Sequence, residues 1–214
     1  MSDKDKEKKD KGCCGGKEKK SKKNNEEDIN FRGRNTVVKP TVDLTKGVKL
    51  CFLGEAGVGK SSILNRYIRD EFHEGEAPTI GAAFATKTHV RGEQSTKFEI
   101  WDTAGQERYH SLAPMYYRGS LAALIVYDIT AKYTYEKAKA WVSELRTNCP
   151  TITVMYLVGC KIDLENAREV ATIEAATFAS DNNCHAIEVS AKTGVNVQEL
   201  FDNVAKLLWD HYHH

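Results

Sequence analysis

The stretch "FLGEAGVGKSS", Phe52 to Ser62, crowds four glycine or alanine positions around Lys60 and two serines, directly after an apolar run. Gly54, Gly59, Lys60 and Ser61 fit G-x-x-x-x-G-K-[ST]. Glycines let a backbone wrap so that successive N–H groups point inward at phosphate oxygens. A helix starting near Lys60 adds the positive end of its dipole. Glu55, Ala56, Gly57, Val58, Gly59, Lys60, Ser61 and Ser62 are therefore the candidate phosphate cradle. Lys60 would reach the outer phosphates and the Ser61 hydroxyl would ligate Mg²⁺. A ligand-free glycine-rich turn is the plain alternative. Both the spacing and the flanking strand and helix argue against it.

The cradle implies a nucleoside triphosphate without naming its base. In "GCKIDL", Lys161 and Asp163 follow a buried run, at the carboxyl end of a strand, where ligands of open α/β sheets bind. An Asp carboxylate can accept two hydrogen bonds from the N1–H and N2–H₂ edge of guanine, and adenine has no such donor pair. In "SAK", the Ala191 N–H can serve guanine O6, with Ser190 and Lys192 on either side. Each signal is weak alone; in this order after the cradle they select guanine. Between them lies "WDTAGQERY". Asp102 can hold Mg²⁺ through water, the Gly105 N–H can sense a γ-phosphate, and Gln106 can orient an attacking water. Taken singly, Asp102 reads as a turn or cap residue and Gln106 as a solvated loop residue.

These loops need a scaffold that gathers them at one edge. "VKLCFLG", "LAALIVYDI" and "ITVMYLVGC" read as buried parallel strands, "FATKTHVRGEQSTKFEIWD" as two strands turning at Gly92, and "HAIEVSA" as a last strand. Helical spacing runs through "KSSILNRYIRDEF", "YEKAKAWVSELRTNC", "REVATIEAATFASDN" and "NVQELFDNVAKLLWDHY". Such alternation predicts an α/β fold with a mostly parallel sheet covered on both faces. Residues 1–35 are mostly Lys, Asp, Glu, Asn and Gly and cannot bury enough surface to offset their ordering entropy. Residues 36–46 read equally as a linker or as an edge addition. The expected division is a charged, largely disordered extension (1–46), a folded domain (47–210) and a short tail (211–214).

With 31 Lys and Arg against 30 Asp and Glu, the charge balance argues against a nucleic-acid binder. No apolar run approaches the roughly 20 residues that cross a membrane, and the charged start is unlike a signal peptide. The six cysteines lack a paired Cys-x-x-Cys pattern, so free thiols in a reducing, cytoplasmic setting are expected.

"GEAGVGKSS", "TIG", "WDTAGQERY", "YYRGS", "IVYDIT" and "SAKTG" together resemble the Ras superfamily of small GTPases and, within it, the Rab family, over about residues 47–209. "TIGAAF" with "ERYHSLAPMYYRG" is most similar to the early-endosomal branch. The resemblance implies a P-loop NTPase small G-domain with a six-stranded sheet, a GTP/GDP and Mg²⁺ switch, and slow GTP hydrolysis in endocytic vesicle traffic. Gln106, Lys60 and Thr79 would be the catalytic residues, and Ser61, Thr79 and Asp102 would hold the metal. Phe72 would pack near the base; its bland alternative is a core aromatic. Phe84, Trp101 and Tyr116 match the family's effector-reading aromatic triad, against ordinary packing. An exchange factor, an activating protein and effectors would act on a monomer through two loops, around 72–83 and 104–117.

Three departures stand out. Cys160 occupies the guanine-loop position where the family has asparagine, which predicts weaker nucleotide binding and faster exchange. Ala56 stands where many relatives have Gly or Ser, with a small effect expected on hydrolysis. The sequence ends "LWDHYHH" and its last cysteine is Cys184, so prenylation is not expected; Ser2 follows Met1, so neither is myristoylation. Peripheral attachment to endosomal membranes would instead use Cys13 and Cys14 in "KGCCGGKEKKSKK", with unmodified solvated chain as the alternative. A guanine-nucleotide-binding scaffold with little hydrolysis is the second functional reading, motivated by Cys160 and the C-terminus.

Overall fold

Alternation along the apolar runs decides the layers. A computed structural model describes residues 42–105 and 111–213. Its strands are β1 (Val48–Leu53), β2 (Ala82–Arg91), β3 (Gln94–Thr103), β4 (Ala122–Asp128), β5 (Val154–Cys160) and β6 (His185–Val189). They form a six-stranded sheet in the order β2-β3-β1-β4-β5-β6. Only β2 pairs antiparallel, with β3; the remaining pairings are parallel.

Because side chains alternate across a strand, each central strand feeds two cores. Leu50, Phe52, Leu124, Val126 and Val158 face one core, with Ile63, Leu64 and Tyr67 of α1 (Lys60–Arg69) and Leu200, Phe201, Val204 and Leu208 of α5 (Val197–His213). Cys51, Leu53, Ile125, Tyr127 and Leu157 face the other. That side is closed by α2 (Ala113–Tyr117), α3 (Lys132–Asn148) and α4 (Thr172–Asp181). The fold is the α/β, mostly parallel sheet with helices on both faces that the sequence implies.

Both ends of the folded domain are anchored beyond its expected bounds, the first within the stretch left open as linker or edge addition. Leu44 lies in the stretch assigned to the extension, yet it is buried in the α1–α5 core and its carbonyl accepts a hydrogen bond from Lys97 N at 2.9 Å. At the other end α5 runs on to His213, into the stretch expected as a tail. Trp209 holds it there: its Nε1 donates to Thr96 Oγ1 at 3.0 Å and its ring stacks on His213 with centroids 3.9 Å apart. The described cysteines, Cys51, Cys149, Cys160 and Cys184, are free and buried. Among the described residues no helix is long and apolar enough to cross a membrane.

Candidate nucleotide-binding site

The loop between β1 and α1 turns on glycines that nothing else could replace. Gly54 has φ 136° and a Cβ there would meet the Val126 carbonyl oxygen at 2.2 Å. Gly59, φ 106°, precedes the first turn of α1, and its carbonyl accepts from Ile63 N at 2.8 Å. Lys60 then points back across the loop. Its Nζ donates to the carbonyls of Gly54 (2.9 Å) and Glu55 (2.8 Å), and the residue is only 5% exposed. Burial pulls its pKa down to about 8, against the opposing pull of Asp102 and Glu55. An ammonium so placed is poised for an anionic partner.

Gly105, from the loop after β3, lies against the same backbone. A Cβ on it would fall 2.3 Å from the Glu55 carbonyl carbon and 2.4 Å from Ala56 N. Beside this contact three oxygens converge. Ser61 Oγ donates to Asp102 Oδ2 at 2.5 Å and lies 2.8 Å from Thr79 Oγ1, which is 3.4 Å from the same carboxylate oxygen. Asp102 Oδ1 is buried with no hydrogen-bond partner among the described residues. Burial raises the Asp102 pKa, countered by Ser61, Lys60 and Thr79. A buried acceptor left open beside hard oxygen ligands is what a small divalent cation would satisfy.

The opposite wall comes from the loops after β5 and β6. Lys161 has φ 71°, unusual for a residue with a Cβ, and its Nζ pairs with Asp128 Oδ2 at 2.6 Å. Asp163 accepts a hydrogen bond from buried Ser190 Oγ at 2.6 Å. Arg66 of α1 donates to the carbonyls of Ala191 (2.8 Å) and Lys192 (2.9 Å), fixing the last loop to the first helix. Cys160 is buried, and its sulfur would be 2.8 Å from a Cβ on Gly59. Burial pushes its thiol up to about 12, so it stays protonated at neutral pH.

Between the walls lies a cavity of about 400 Å³. It is lined by Ala56, Gly57, Gly59, Lys60, Ser61, Ser62, Phe72, Thr79, Gly105, Cys160, Lys161, Asp163, Ala191 and Lys192, as the sequence nominated. Phe72 lines the cavity and also packs on the core. Four nominated residues stand behind the surface. Glu55 acts through its carbonyl, Val58 is turned into the core, Ser190 backs Asp163, and Asp102 backs Ser61. Gln106, Cys13 and Cys14 lie outside the described residues. Asp128, Arg66 and Glu74 were not singled out from the sequence. Only Asp128 carried a local signal, the "DIT" turn in which its carboxylate accepts from Thr130 N at 2.8 Å.

A model of the Ras family matches residues 49–210. The chain belongs to the Ras family. It is 49% identical to the Ras-related protein Rab5A of Oryza sativa subsp. japonica over 163 residues, which cover 76% of this chain and 80% of that protein. It is 51% identical to the Ras-related proteins RABF2a and RABF2b of Arabidopsis thaliana, each over 160 residues, 75% of this chain and 80% of each relative. Within the family it is a Rab of the Rab5-like branch, a GTP-hydrolysing enzyme. In this Ras-family domain the three aromatic residues expected to read out the switch do meet. Phe84 and Trp101 have centroids 5.2 Å apart and Trp101 and Tyr116 6.0 Å. Phe84 is 54% exposed, and Ile80 and Met115, next to Gly81 and Tyr116 in sequence, are 82% and 71% exposed.

Proposed function

We propose that this Rab-like chain binds GTP and GDP with Mg²⁺ in the cavity, hydrolyses GTP slowly, and serves as a switch in endocytic vesicle traffic. The observation that carries the reading is the Oδ1 of Asp102, without a partner among the described residues, beside the Ser61 and Thr79 hydroxyls, at the Lys60 end of a cavity whose other end presents Asp163. Ser61, Thr79 and, through water, Asp102 would hold Mg²⁺. When bound, the ion neutralises charge on the terminal phosphates.

The chain's own residues do the rest. Backbone N–H groups of Glu55–Ser62 bind the phosphates, and Lys60 supplies the fixed positive charge. Asp163 accepts from the guanine N1 and N2 donors, with its orientation set by Ser190. Phe72 packs near the base. The Gly105 N–H reports the γ-phosphate, and Gln106 orients the attacking water. Intrinsic turnover of this design is slow, about 10⁻⁴ to 10⁻³ s⁻¹, and an activating protein that lends an arginine raises it by up to about 10⁵. Thr79 and Gly105 hold the loops around 72–83 and 104–117 only while the γ-phosphate is present, which gives effectors at Phe84, Trp101 and Tyr116 a state to read. Peripheral endosomal attachment would use Cys13, Cys14 and the lysines around them.

Titration of the purified chain with GTP and ATP in magnesium buffer, with phosphate release followed, tests the reading. Tight, magnesium-dependent binding of GTP over ATP and slow release of phosphate are expected. Equal binding of the two nucleotides, or none, overturns it.

A further inference from the structure

The segment from Phe72 to Thr79 forms one side of the cavity and is fastened across it at successive points. Glu74 pairs with Lys192 Nζ at 2.6 Å, joining this segment to the loop after β6. Two residues on, Glu76 accepts from Asn65 Nδ2 of α1 at 2.6 Å. Thr79 closes the far end on Ser61 at 2.8 Å. Gly75 sits between the two glutamates with φ 77° and open space where a Cβ would be. That left-handed turn lets neighbouring carboxylates reach different walls. Glu74 and Lys192 both line the cavity, so their pair spans its base end. Both side chains are well exposed, 75% and 51%, so the pair can open without unfolding anything.

We propose that Glu74 is a latch residue that sets how long the nucleotide stays, by pairing with Lys192 across the base end of the cavity. The inference rests on the nucleotide reading above and deepens it. With the pair closed, the segment carrying Phe72 is held against the wall carrying Asp163 and Ala191. With the pair broken, the segment keeps its tie at Glu76 and, while a γ-phosphate is present, at Thr79, and it swings outward at Gly75, opening the base end first. The charges support each other: Lys192 holds the Glu74 carboxyl below its ordinary range, and Glu74, then Asp163, hold the ammonium above its own. An exposed pair of this kind is a weak restraint that salt screens, which suits a latch that must open on demand.

The test is release of fluorescently labelled GDP, chased with excess unlabelled GDP, from the wild-type chain and from Glu74→Gln and Glu74→Lys. In low salt, about 25 mM, Glu74→Gln is expected to release about two- to fivefold faster, and Glu74→Lys, which faces Lys192 with a like charge, faster still. In about 500 mM salt the three rates should converge to within about twofold. Equal rates in low salt, or a ratio unchanged by salt, overturn the latch while leaving the nucleotide site intact. A wild-type chain that never retains labelled GDP overturns both.

Discussion

The phosphate wall and the base wall of the cavity are built by different means. The first is backbone. Gly54 and Gly105 have no room for a Cβ, and Lys60 is tied to two carbonyls of its own loop. The second is held by side chains: Lys161 pairs with Asp128, Ser190 with Asp163, and Arg66 reaches the backbone carbonyls of Ala191 and Lys192 from α1. A backbone grip reads only what every nucleotide shares, so it is strict and unselective. A grip assembled from separate side chains reads one base and can be tuned residue by residue. Cys160 is where the two walls touch, its sulfur lying against Gly59.

The largest effect should come from breaking the backbone wall's single positive charge, Lys60. Burial depresses the Lys60 pKa from 10.5 to about 8, a cost to the fold of about 3 kcal/mol that a bound phosphate offsets. Lys60→Ala should therefore weaken GTP and GDP together by about 100-fold or more while leaving the thermal midpoint unchanged or raised. Wild-type affinity carries the same signature. Below pH 8 the ammonium is already charged in the empty site. Above it, binding must take up a proton, so affinity should fall by up to about tenfold per pH unit. Calorimetric titrations at pH 7 and 9 check this, and equal affinities at the two would refute the account.

Breaking the base wall should cost selectivity first. Asp163→Ala removes the carboxylate that Ser190 orients, and should shrink the preference for GTP over ATP by about 10- to 100-fold while ATP binding stays where it was. If GTP and ATP weakened equally, the two walls would not be separable in this way. Cys160→Asn sharpens the comparison from the other side. A buried protonated thiol is a poor hydrogen-bonding group beside an amide. The variant should release GDP about tenfold more slowly, the gain expected from one added hydrogen bond near a buried site. An unchanged release rate would mean that the thiol costs the site nothing.

The contrast between the walls also explains what the sequence could disclose. Gly54, Gly59, Lys60 and Ser61 lie within eight residues and their geometry is local, so the motif was legible directly. So were the strands β1, β4 and β5, whose mostly apolar runs leave little choice but a two-sided core. The base wall was only half legible. Asp163 and "SAK" carry type and order, but Arg66 meets Ala191 across 125 positions of sequence, and only the topology makes them neighbours. Glu74 looked like one more charge in a polar loop, because its partner lies 118 positions away. The domain ends were only partly legible for a related reason. "VDLT" reads equally as linker or edge addition until Leu44 is found buried in the core, and the polar "DHYHH" follows Trp209, whose bond to Thr96 anchors the end of α5.

The smallest effect should lie in neither wall. His89 of β2 does not line the cavity and is 3% exposed. Its Nδ1 is 3.0 Å from Tyr67 Oη of α1. Its Nε2 lies 3.0 Å from Asp202 Oδ1 of α5. Burial lowers its pKa, Asp202 works against that, and Lys87 and Arg91 on the same strand add to it. The sign follows. The unfolded chain takes up this proton near pH 6.5 and the folded chain only at lower pH, so the stability is fully present above 6.5 and is lost as pH falls below it. Between pH 7 and 5 the thermal midpoint of the wild type should drop further than that of His89→Phe. The preference for GTP over ATP should be the same in both. Parallel midpoint curves would remove His89 as the source. A change in base preference would mean that β2 transmits strain to the base wall, and the separation of fold from grip drawn above would have to be given up.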